Sequence, residues 1–218
     1  MEKHWTKIQY YDGGQHWIYG LNVNETTKFA GLFGCVNGGT VENLAVKGTV
    51  TSTSNQSGGS SVGGIAGEIQ NATVTNCCFI GDVTGNSAAV GGIVGYLWQT
   101  GTVKNCYHMG NVKTSDTHSA GGVVGRIQSS EVKNAVCTIE NCYHVGKMEE
   151  NQNYACTIVG CIDKVSTDVG QKIHLINNYA LATDGKSYNG DTPDTNTCVT
   201  VKESCMPPLW NIPQGRHF

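Results

Sequence analysis

The sequence predicts an all-β fold, a right-handed parallel β-helix of about five coils. Three observations point there: a Gly-rich repeat in two blocks, apolar columns that alternate with variable ones inside each copy, and a composition that turns often but carries little charge. A β-propeller or sandwich is the alternative, but separate antiparallel sheets would not predict such strict columns.

The first block aligns Gly31-Leu32-Phe33-Gly34 with Gly64-Ile65-Ala66-Gly67, Gly92-Ile93-Val94-Gly95, Gly122-Val123-Val124-Gly125 and Thr157-Ile158-Val159-Gly160, the closing glycines lying 28 to 35 residues apart. The residue after the closing glycine is Cys35, Glu68, Tyr96, Arg126 or Cys161, a range of chemistry that only an outward column tolerates. Its period-2 neighbours are uniformly aliphatic: Leu32, Ile65, Ile93, Val123 and Ile158 before the glycine, Val36, Ile69, Leu97, Ile127 and Ile162 after it. These face the core, so truncating Ile93 should cost more than truncating the outward Glu68. The glycines between them allow close backbone approach.

The second block runs Thr40-Val41-Glu42-Asn43-Leu44, Thr73-Val74-Thr75-Asn76-Cys77, Thr102-Val103-Lys104-Asn105-Cys106, Thr138-Ile139-Glu140-Asn141-Cys142 and, more weakly, His174-Leu175-Ile176-Asn177-Asn178. Val41, Val74, Val103, Ile139 and Leu175 point inward. Asn43, Asn76, Asn105, Asn141 and Asn177 fall where the chain must bend, and Asn tolerates the left-handed backbone and bonds to stacked copies of itself; they form a ladder at a corner. Units of this size cannot bury a face alone and stack into a coil. The repeats and an N-terminal capping coil occupy residues 1–183; residues 184–218 form a C-terminal cap or a linker.

The charge of −3 carries no basic stripe for nucleic acid, and no apolar run is long enough to span a membrane. The first residues lack the apolar core of a signal peptide, and the chain reads as a piece of a longer protein whose other domains are partners. Ten cysteines is an even number, yet Cys77, Cys106 and Cys142 share a column with Leu44 and read as buried free thiols. Cys198 with Cys205 is the pair to expect if a disulfide forms.

Gly59-Ser60-Ser61-Val62-Gly63 has the spacing of a nucleophile elbow but lies in a Gly/Ser loop leading into a repeat. Metal and phosphate signatures are missing, and Asp82, Asp116, Asp163 and Asp168 fall in unrelated columns. The reading is therefore no catalytic residue, no metal and no cofactor.

Parity from the first copy, where Leu44 and Val46 alternate with Ala45 and Lys47, turns Tyr107, Tyr143 and Tyr179 outward with Met109 and Val145. That column is either a partner-binding face or packed structure. The same parity drives His108 and His144 inward, which is awkward for ionisable groups, so a reversal of parity in the later copies is the alternative.

The two blocks resemble the GLUG repeat, with its Gly-Leu/Ile/Val-x-Gly core and Thr-Val/Ile-x-Asn-Cys-Tyr segment, from about Tyr11 to Leu181. The opening Tyr11-Asp12-Gly13-Gly14-Gln15-His16-Trp17-Ile18-Tyr19-Gly20-Leu21 resembles the lead-in of such arrays, with Trp17 in place of a small residue. The resemblance implies a bacterial secreted or surface-anchored protein, as in adhesin-like proteins and the non-catalytic regions of immunoglobulin A-cleaving metallopeptidases. The expected function is a non-enzymatic, adhesin-like scaffold or stalk, outside the cell, that binds a host or cell-surface protein or glycan. The competing class is a glycan-active β-helix enzyme or an accessory domain of a secreted peptidase.

Overall fold

The computed structural model describes residues 9–54, 60–86, 88–114, 119–128, 132–148, 155–163, 170–181, 188–190, 193, 195–196 and 198–201. Every strand pairing among the described residues is parallel, and the chain winds as a β-solenoid of about five turns. The layers follow in order. β1 (Tyr10–Glu25) lies at the N-terminal end, then β2 (Phe29–Ala30) and β3 (Phe33–Ser52). Next come β4 (Ser60–Gly63), β5 (Ala66–Ile80) and β6 (Val83–Gly85). The middle coil holds β7 (Ala88–Gly91), β8 (Val94–Lys104), β9 (Tyr107–Met109) and β10 (Val112–Thr114). After it stand β11 (Ala120–Gly121), β12 (Val124–Gln128), β13 (Val136–Glu140) and β14 (Tyr143–Val145). The fifth repeat gives β15 (Ala155–Cys156), β16 (Val159–Ile162), β17 (Lys172–Ile176) and β18 (Tyr179–Leu181). Last are β19 (Tyr188–Gly190), β20 (Thr195–Asn196) and β21 (Val199–Val201).

The core columns stack in register. Val36, Ile69, Leu97, Ile127 and Ile162 pair in sequence, as do Val41, Val74, Val103, Ile139 and Leu175, and all ten are buried. Ile65, Ile93, Val123 and Ile158 are buried too; Leu32 is only half-buried, because β1 covers β3 from Thr40 onward and leaves the strand beside Leu32 without an earlier layer among the described residues. A side chain removed from the middle of such a column leaves a void that its neighbours, fixed by their own pairing, fill poorly.

A second sheet, β2-β4-β7-β11-β15, lies back to back against the start of these strands. The closing glycines make that approach possible: a Cβ on Gly67 would stand 2.6 Å from the Gly34 carbonyl oxygen and 2.8 Å from the Ala30 nitrogen. The glycine that opens the block in the second, third and fourth copies, Gly64, Gly92 and Gly122, has a different duty. A Cβ on Gly64 would lie 2.3 Å from Phe79 Cγ, and one on Gly122 2.4 Å from His144 Cγ, so these positions are vacated for a ring.

Glu68 corrects the sequence reading. It occupies the expected outward column, paired with Cys35 and Tyr96, yet is only 2% exposed. Rungs in a column stand about 4.8 Å apart, so a large neighbour can cover a shorter side chain that faces away from the core. Truncating Glu68 is therefore not a surface change.

In the segment read as cap or linker, β19, β20 and β21 pair in parallel with β16, β17 and β18 and so lie against the last repeat. Cys205, like all of residues 202–218, lies outside the described residues. The nine described cysteines are free thiols, and Cys77, Cys106 and Cys142 are buried in the core.

Candidate functional site

Tyr107, Tyr143 and Tyr179 do lie in one outward column, in register with Trp17, Ala45 and Cys78 of the earlier layers. Two residues on, Met109 and Val145 continue a second outward column of Tyr19, Lys47, Ile80 and Leu181. The parity of the first copy holds throughout, and the alternative of a reversal is overturned. Together the two columns draw an apolar and aromatic strip along the outside of the segment that follows each corner asparagine, in β3, β5, β9, β14 and β18.

The rings are stacked as rungs. Tyr107 and Tyr143 have centroids 5.0 Å apart and planes within 6°. Their facing surfaces are spent on each other, and what remains for a partner is ring edge. The Tyr107 hydroxyl is itself buried, beside the Cys78 thiol, and burial raises its pKa far above that of an ordinary phenol; burial pushes Tyr143 up to about 12. Tyr179, at the C-terminal end of the strip, is 39% exposed. At the other end Trp17 and Tyr19 lie 5.5 Å apart and nearly parallel, with Tyr19 68% exposed. The sequence reading missed these two, although the same parity rule, carried across the register of the opening segment, would have placed them.

A second outward face runs along the first strands, where Tyr96 and Trp98 sit side by side with centroids 6.3 Å apart. Gln70 and Gln128 pair with Trp98 from the layers on either side. The Tyr96 hydroxyl bonds the Gln128 side chain, and Gln70 Nε2 donates to Gln99 Oε1 at 2.6 Å. Arg126 lies 5.8 Å over the Tyr96 ring and holds Asp163 at 2.9 Å through both Nε and Nη2. Its charges are thus matched within the face.

The corner is an amide ladder. Asn76 Nδ2 donates to Asn43 Oδ1 at 3.2 Å, Asn105 to Asn76 at 3.0 Å and Asn141 to Asn105 at 3.2 Å. All five asparagines, Asn177 included, have φ between 50° and 54°, the left-handed region that Asn tolerates better than most residues. At the N-terminal end Asn43 Nδ2 donates to Asp12 Oδ1 at 3.1 Å, which also accepts from the Gly14 amide at 2.8 Å. Those two bonds, the Gly14 amide foremost, hold the Asp12 carboxyl below its usual range.

Inside the coil, back to back with the Tyr column, stand His108 and His144, fully buried. Ser60 and Ser61 are buried in β4, which leads through a turn into another strand, so the nucleophile-elbow geometry of strand, turn and helix is not formed. No three His, Cys, Asp or Glu side chains converge as metal ligands among the described residues, and no helix there is long and apolar enough to cross a membrane.

No curated protein matches the chain. Among solved structures, the chain is similar to the crystal structure of a "putative immunoglobulin A1 protease" from Bacteroides ovatus, with 18% identity over 88% of this chain and 67% of that one, at a TM-score of 0.45. The family described as "The GLUG motif" matches residues 86–112, from just before β7 to the first residue of β10. The middle coil of the solenoid thus matches the GLUG motif, and its neighbours repeat the same columns.

Proposed function

We propose that this solenoid is a non-enzymatic module of a bacterial extracellular or cell-surface protein, a stiff stalk that binds an extended partner along its outer strip. The observation that carries the reading is the strip itself, which is unbroken from Ile80 through Met109 and Val145 to Leu181 and ends on the exposed Tyr179. Stacking fixes the position of each side chain, so a partner meets a surface already ordered and loses little entropy in meeting it. Because Tyr107 and Tyr143 occupy each other's faces, recognition proceeds through ring edges, the exposed Tyr179 and the aliphatic column, which suits a host or cell-surface protein or the edge of a glycan chain.

The test is binding of the purified module to panels of immobilised host glycans and surface proteins, beside the double variant Tyr179→Ser/Leu181→Ser. The variant should keep the wild-type melting temperature within a few degrees and lose at least about tenfold in affinity. Undiminished binding by a folded variant, or release of sugar from any panel glycan, overturns the reading.

A further inference from the structure

The third inward column runs Val46, Phe79, His108, His144 and Ala180, one residue per coil, each buried. The rings of His108 and His144 stack with centroids 5.1 Å apart, and their Nδ1 atoms lie 3.0 Å from each other. His108 Nε2 is 2.8 Å from the Gly81 carbonyl oxygen, which can only accept. His108 therefore carries its proton on Nε2 and offers a bare Nδ1, to which His144 donates from its own Nδ1. That leaves His144 Nε2 as a lone pair, and it is buried without a hydrogen-bond partner. The chain of bonds runs one way, from His144 to His108 to Gly81, and requires both rings neutral.

We propose that the His108–His144 pair is an acid-sensitive latch, which joins the coils of β9 and β14 while both rings are neutral and opens that joint when either ring takes up a further proton. A proton on His144 Nε2 would bury a charge where only the Gly146 carbonyl lies near, and that nitrogen makes no hydrogen bond in this structure. A proton on His108 Nδ1 would set two N–H groups against each other at 3.0 Å. Either places a cation between Phe79 and Ala180, where nothing apolar can solvate it. The charged group that bears on His108 is Asp82, in the turn before β6, and the one that bears on His144 is His108 itself. Cys106 and Cys142, two residues before each ring, contribute thiols.

The direction follows from burial. It holds His108 down at about 4, against the Gly81 carbonyl, Asp82 and the Gly122 carbonyl, and holds His144 well below its usual value, with His108 adding to the effect and the Gly146 carbonyl opposing it. An unfolded histidine titrates near 6.5, so between that pH and about 4 the unfolded chain binds more protons than the folded one. Stability is complete above about pH 6.5 and is lost as the pH falls. From pH 7 to pH 5 each ring should raise the unfolding constant roughly 20-fold, and the pair a few hundredfold.

The experiment compares the full chain with His108→Phe/His144→Phe, since Phe79 already fills this column in the preceding coil behind its own glycine. His144→Val, which borrows the aliphatic residue of Val46 in the same column, is the second variant should the first fail to fold. Unfolding is followed in denaturant from pH 7.5 to 5. Amide exchange, corrected for its intrinsic pH dependence, is read at Tyr143 and Gly110, whose amides donate to Cys106 and Val145 across the joint. The wild type should show the few-hundredfold change, with these two amides losing protection before those of β5. The double variant should be nearly flat over the same range, and His144→Val should show the share of one ring at most. Equal pH dependence in wild type and variants overturns the latch, as does an NMR titration that places either ring near 6.5 in the folded protein.

Discussion

The solenoid holds two polar stacks built on the same spacing, and they behave as opposites. At the corner, five asparagines repeat on consecutive coils, each with a donor and an acceptor, so the ladder extends for as long as the repeats do. In the core two histidines also carry one donor and one acceptor each, but Phe79 and Ala180 flank them and the chain ends after two rungs. Water can replace a missing rung at the corner and cannot reach the core. A polar ladder is thus forgiving when exposed and exacting when buried, and the difference lies in the surroundings rather than in the hydrogen bond.

The sharpest way to break this comparison is to disturb the space made for the buried pair. A Cβ on Gly122 would lie 2.2 Å from the Thr157 carbonyl oxygen as well as against His144, so Gly122→Ala should cost more than about 3 kcal/mol in denaturant unfolding. A loss under about 1 kcal/mol would mean that the core around the rings yields, and the contrast would fail.

Asn105 tests the forgiving side. Asn105→Ala removes the bonds to Asn76 and Asn141 and puts Cβ in a left-handed backbone, for an expected loss of about 2 kcal/mol. Asn105→Gly loses only the bonds and should cost about half as much. Alanine as stable as glycine at this position would show that the bend, and not the amide, has been misjudged.

The smallest effect belongs to the ion pair beside the ladder, Lys104 Nζ to Glu140 at 3.0 Å, both partners partly in water. Lys104→Ala should cost under about 0.5 kcal/mol, and the difference should vanish in 1 M salt. A larger or salt-independent loss would mean that this face is drier than its exposure suggests.

Much of this was legible beforehand because repetition converts one ambiguous strand into five readings of the same column. Ile93 alone could face either way; with Ile65 and Val123 beside it in register it could not. Asn105 was placed at a left-handed corner by the same logic. Other features resisted for physical reasons. The cost of burying imidazoles argued against His108 and His144 facing inward, and only a tautomer chain between two coils, invisible in a linear sequence, removes the objection. Glu68 was read by its column, and a column of varied chemistry proved a poor guide to exposure, since Glu68 and Cys35 are both buried in it. The strands of the second sheet, two to four residues long and mostly Gly, Ala and Ser, are too short to show any periodicity. At the candidate site the tyrosine column was found, but Trp17 and Tyr19 were not carried into it.

Asp12 gives the molecule a direction. Every bond in the amide ladder donates toward the N-terminal end, so the small dipoles add, and their positive end meets a carboxylate, much as an anion caps the start of a helix. Duplicating an interior coil would keep this polarity and simply lengthen the stack. Grafting a coil ahead of β1 would set an asparagine oxygen against a carboxylate oxygen, two acceptors with no hydrogen between them. For anyone building with this scaffold, its amide ladder has a head and a tail, and the ladder can be lengthened from the middle but not past Asp12.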